Sequence, residues 1–239
     1  MNRKRAAIGV VTLSLLAILA GSLVWLVKYQ PTFYKTALAD TAPPEIRRQQ
    51  AKVFVQTTSR LVDEIRNEDI WSQTFSEEDV NGWLAEELPV KYGEWLPPEI
   101  AAPRVKFEEG TLLLAFQLRH GMWKGVVSAN VRPWVAGPNR LALEIQSARI
   151  GLVPVPVDEL LGDFLKHINA AGLRVQWKNS GKQDVLVVEF DDDFSPDGGS
   201  SEHAVLEAVD LEPKLLRISG RRTSAAADSP RVADRPPAR

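Results

Sequence analysis

Cysteine is absent from all 239 residues, which excludes disulfides, thiolate metal sites and a cysteine nucleophile. That absence fits an oxidising compartment as well as a reducing one, and any folded domain must be held by its core alone. A positive excess is missing too. Lysine and arginine number 29 against 31 aspartates and glutamates, a net charge of −2, so nucleic acid is not expected as a partner. His120, His167 and His203 lie far apart with no His-x-x-x-His spacing, which gives a metal site no support. No Gly-x-Ser-x-Gly elbow, phosphate loop or Gly-x-Gly-x-x-Gly occurs, and Gly181-Lys182 lacks the flanking residues of a phosphate loop. A calcium loop starting at Asp193 would place Ala204 where a bidentate glutamate is needed, so that stretch reads as a solvated linker. No catalytic residue, metal or cofactor is assigned. An enzyme would need a constellation assembled in space.

One long hydrophobic run is present. Residues 6–27 carry no charge, proline, asparagine or glutamine, and 22 residues of helix span ~33 Å, enough for a bilayer core. Arg3, Lys4 and Arg5 precede the run, and Lys28 and Lys35 follow it. Three charges plus the amino terminus against two place the N-terminus inside. Trp25, Tyr29, Phe33 and Tyr34 are expected at interfacial depth. The competing reading is a cleaved signal peptide, for which Ala37-Leu38-Ala39 has the small-x-small form, but the run is too long and ends too early. Ala17 and Gly21 form one small-xxx-small pair, a hint of dimerisation set against an ordinary lipid-facing helix. The resulting division is a cytoplasmic N-terminus over 1–5, a transmembrane helix over 6–27, a linker over 28–44, an extracytoplasmic (periplasmic) domain over 45–222 and a disordered tail over 223–239.

The domain reads as α+β. Ile46, Val53, Phe54, Thr57, Leu61 and Ile65 recur at helical spacing over about 22 residues. Ser76 caps a second helix, with Val80, Trp83, Leu84 and Leu88 on its buried face. Four prolines over 89–103 predict an ordered irregular loop. From 104 the period becomes two, giving a four-stranded antiparallel meander with one apolar face: Val105 and Phe107, then Leu112, Leu114, Phe116 and Leu118, then 123–134, then 141–146. A helix over 157–171, with Leu160, Leu161, Phe164, Leu165 and Ile168, is expected to cover that face. Two further strands follow around Asn179-Ser180-Gly181-Lys182, the second (185–190) apolar on both faces and therefore central. A last hairpin crosses Glu212-Pro213.

Two segments carry a resemblance. Phe75-Ser76-Glu77-Glu78-Asp79-Val80-Asn81 opens a short helix, and Arg149-Ile150-Gly151-Leu152-Val153-Pro154-Val155-Pro156 leads out of the meander. Together they resemble small bacterial membrane-anchored proteins related to the tubular lipid-binding (TULIP-like) superfamily, over roughly residues 45–222. The resemblance implies a curved antiparallel sheet along a long helix, with an apolar groove for acyl chains between them. The groove lining would then be Phe54, Leu61, Ile65 and Trp83 facing Leu112, Leu114, Phe116, Leu161 and Phe164, although the same residues would equally build a closed core. Asn81 reads as a groove-mouth residue or as a structural bond to a nearby carbonyl. Gly151, Pro154 and Pro156 read as a chain corner or as a lipid gate. Trp95 and Trp123 would meet headgroups or cap the core. The expected function is non-enzymatic binding of lipid or another long apolar ligand at the cell (inner) membrane. The alternative is an envelope assembly scaffold with a closed core and a protein partner.

Overall fold

The computed structural model describes residues 26–39, 42–91, 93, 96–120, 123–156, 174–179, 184–190 and 202–224. Most of the apolar run, the expected covering helix with Leu161 and Phe164, the acidic linker, Trp95 and nearly all of the tail lie outside them. No helix among the described residues is long and apolar enough to cross a membrane.

The first departure from the sequence reading falls in the stretch 28–44. It is not a linker: it carries helix α1, Thr32–Ala39. Tyr34 is fully buried against Ala115 and Val126, with Phe33 and Leu38 packed around it. The Tyr34 hydroxyl donates to the Ala102 carbonyl at 2.8 Å. Phe33 and Tyr34 therefore belong to the core and not to a bilayer interface.

Helix α2, Pro44–Asn67, begins where Pro43 and Pro44 supply a preset φ and need no intrahelical donor. It ends at extended Glu68, whose N–H still reaches the Glu64 carbonyl. Its apolar stripe does not lie on the large sheet, as the sequence suggested. It packs instead on β1, Ile70–Ser76, and on α3, Glu77–Glu86, with Ala51 buried. Helix α3, rather than α2, meets the apolar face of the meander. Ser76 caps it by accepting from Asp79 N at 3.1 Å, while its hydroxyl donates to Asp79 Oδ2 at 2.6 Å. A short helix α4, Leu88–Lys91, follows.

The strands form two sheets. The larger runs β2-β3-β4-β5-β8-β7, with the two-residue β6 (Val153–Pro154) paired to β5. Its members are β2 Ile100–Glu108, β3 Thr111–His120, β4 Trp123–Gly137, β5 Arg140–Ile150, β7 Arg174–Asn179 and β8 Asp184–Glu189. The meander and the interior place of β8 follow the sequence reading. Strand β2 starts earlier than expected, inside the proline-rich loop. Pro103 is tolerated there because β2 is an edge strand and its register shifts between Ala101 and Arg104, with Ala102 at φ 49°. The meander is also covered on two faces. Val105, Phe107, Leu112 and Leu114 face α3, whereas Ala115 and Val126 face α1.

The smaller sheet, β1-β10-β9, joins β1 to a hairpin of β9 Glu202–Glu212 and β10 Leu215–Ser224. The hairpin turn sits against the large sheet: Gly110 N donates to the Leu211 carbonyl and Lys214 N to the Phe107 carbonyl, at 2.9 and 3.2 Å. Strand β1 buries Trp71 and Phe75, and Trp71 lies opposite Gly220.

Candidate functional site

The segment Phe75–Asn81 closes the open edge of the large sheet. Asn81 Nδ2 donates to the Val105 carbonyl at 2.8 Å and its Oδ1 accepts from Val105 N at 2.9 Å. Glu77 Oε2 accepts from Phe107 N at 2.7 Å. An amide and a carboxylate thus complete the ladder that β2 would otherwise present to another chain. Asn81 serves as a structural residue, bonding a strand where a loop carbonyl was expected. Asn81→Leu is expected to cost about 2 kcal/mol, because the largely buried Val105 N–H and C=O lose their partners. Urea unfolding followed by tryptophan fluorescence measures that loss.

The proposed groove residues fall into two groups. Phe54 packs with Phe75 and Trp83, at ring-centroid distances of 5.5 and 5.1 Å. Leu112 and Leu114 join Val80, Leu84 and Leu216 around buried Val105, Phe107 and Leu211. Helix α3 belongs to both groups, through Trp83 on one side and Val80 and Leu84 on the other. Leu61 and Ile65 are half-buried on α2, and Phe116 is half-buried on β3.

A cleft of about 290 Å3 lies elsewhere, where α1, α2, α3 and β2 meet. Arg47, Gln50, Glu78, Glu86 and Arg104 contribute polar walls. Arg47 is already engaged, donating to Glu86 Oε1 at 2.8 Å and to the Ala42 carbonyl at 2.7 Å. The cleft is polar and mixed in charge, unlike an acyl-chain tunnel. No pattern marked it in the sequence, since its walls come from four separated elements. No group of three or more His, Asp or Glu side chains among the described residues is placed to hold a metal.

The second family-like segment makes a different contact. Residues 26–28 are helical and end against the β5–β6 corner. Leu152 N donates to the Leu26 carbonyl at 2.9 Å, and Gly151 N to the Val126 carbonyl at 2.8 Å. Gly151 adopts φ 62°, and a Cβ there would collide with the Leu26 and Val27 carbonyls. Val27 is buried and lies beside Gly125. The corner is thus a seat for the end of the apolar run. No family model, curated protein or solved structure matches the chain.

Proposed function

We propose that this chain is a non-enzymatic, single-pass membrane protein whose α+β domain, on the outer face of the cytoplasmic membrane, binds lipid or another long apolar ligand. The uncharged run 6–27 and its flanking charges support the anchor. The TULIP-like resemblance supports the ligand class. One observation carries the ligand: beyond Leu112 and Leu114, which pack under α3, Phe116 and Leu118 continue the same apolar face of β3 and are half-buried rather than sealed. That continuation suits the end of an apolar chain. A photocrosslinking amino acid in place of Phe116, activated in living cells, is expected to yield an adduct of lipid mass, with none from the same group at exposed Lys52. A protein adduct alone, or no adduct, overturns the lipid reading.

The contact of Phe54 with Phe75 and Trp83 favours a second reading, a closed core in an envelope scaffold that binds a protein partner. One stoichiometric protein adduct at position 116 without lipid selects it.

A further inference from the structure

The end of the sheet that seats the anchor has an unusual charge. Three stretches of described residues meet there: 26–39, 117–120 with 123–128, and 145–156. None contains an aspartate or glutamate, and together they carry Lys28, Lys35, Arg119, Lys124 and Arg149. All five basic side chains are exposed. The strand register sets Arg119 opposite Lys124 and Arg149 opposite Ser128, so all three share the face that carries α1. Lys35 lies over the Tyr29 ring at 5.6 Å, and Arg119 Nη2 bonds Gln117 Oε1 at 3.3 Å. Glu99 touches this end through its carbonyl, which accepts from Arg119 N at 2.7 Å.

Several cations elsewhere in the domain are held in close ion pairs. Arg47 meets Glu86, Lys106 meets Glu108, Arg132 meets Glu144 and Arg221 meets Glu207, all at 2.6–2.8 Å. The five at the corner make no ion pair among the described residues. Exposed Leu152 stands among them, its N–H bonded to the Leu26 carbonyl.

We infer that this corner is a docking surface for anionic phospholipid headgroups, pressed onto the bilayer by the anchor seated in it. The inference rests on the anchored reading above. Charge complementarity selects a polyanionic surface, and the seat at Gly151 and Leu152 selects lipid over nucleic acid. A chain leaving the bilayer at Val27 holds Lys28, Lys124 and Arg149 within about a Debye length of the phosphates, where each cation adds attraction.

The test uses the full chain in nanodiscs of phosphatidylcholine, with or without roughly one-third phosphatidylglycerol, and reads lysine acetylation by mass spectrometry. Labelling of Lys35 and Lys124 should fall about threefold or more in the anionic discs and recover at high salt. Lys214 should not change, because it lies at the far end of the meander, ~30 Å away along ten-residue β3. Lys124→Glu combined with Arg149→Glu should abolish the protection at Lys35, with unchanged Lys214 labelling reporting an intact fold. Equal labelling in both discs, or a parallel fall at Lys214, overturns the headgroup contact and leaves the anchor standing. Protection by a DNA duplex but not by anionic discs also overturns it. A chain that does not enter nanodiscs overturns both readings.

Discussion

Replacing Tyr34 with alanine is expected to destabilise the domain by about 3–5 kcal/mol, the range for deleting a large buried aromatic side chain. Tyr34 is 0 % exposed, and its ring joins α1 to the back of the meander at Ala115 and Val126. Tyr34→Phe keeps the ring and loses the bond to the Ala102 carbonyl, a cost of about 1 kcal/mol. Both variants also differ from the unsubstituted protein in alkali. Burial raises the Tyr34 phenol above its usual 10.0, opposed by the nearby Arg104 and Arg119 charges and by a bond with Gln117. Above the unfolded value the folded state keeps a proton that the unfolded state has lost. This contribution is therefore complete below about pH 10 and is lost as pH rises through the raised folded value. Tyr34→Phe should remove that share of the alkaline loss, as measured by urea unfolding on both sides of pH 10. Cleavage after Ala39 would strip Phe33, Tyr34 and Leu38 from the same core.

Gly220→Ala is expected to cost about 3 kcal/mol, at the upper end of the usual range for overpacking. A Cβ at Gly220 would overlap the Trp71 ring on one side and the Val205 carbonyl on the other. The ring is 4 % exposed and the carbonyl belongs to the paired strand β9, so neither yields cheaply. The register between β9 and β10 shifts at Ser219/Gly220, which lets the ring lie over bare backbone. Gly93→Ala, where a Cβ meets nothing, is the neutral control. Thermal unfolding gives the difference, and near-ultraviolet circular dichroism reports whether Trp71 has moved.

Much of the large sheet was legible because alternation is a local signal. Leu112, Leu114 and Phe116 declare one face within five residues, and Val185–Val188 declare two. Ser76 announced α3 for an equally local reason, its side chain capping the helix three residues on. Strand β1 escaped notice. Trp71, Gln73 and Phe75 do alternate, but between two stronger helix patterns, and their partners lie at the other end of the chain. The placement of α2 was missed for the same reason: its stripe says that something covers it, and only β1 says what. Tyr34 misled because an aromatic just past an apolar run looks the same whether it meets headgroups or Ala115. The basic corner was invisible because its five charges are scattered over some 120 residues of sequence and converge only through the β3–β4 and β4–β5 registers.

The ladder between β1 and β10 pairs Ile70 with Arg221 and Ser76 with Leu215. Its two halves leave the ribosome with nearly the whole domain between them, the kind of distant pairing that slows folding. The opening strand waits through the synthesis of everything else, with Trp71 uncovered on the side that Gly220 later takes. A product that stops anywhere before residue 215 leaves it so. The smaller sheet is therefore complete only once β10, the last strand among the described residues, has been translated.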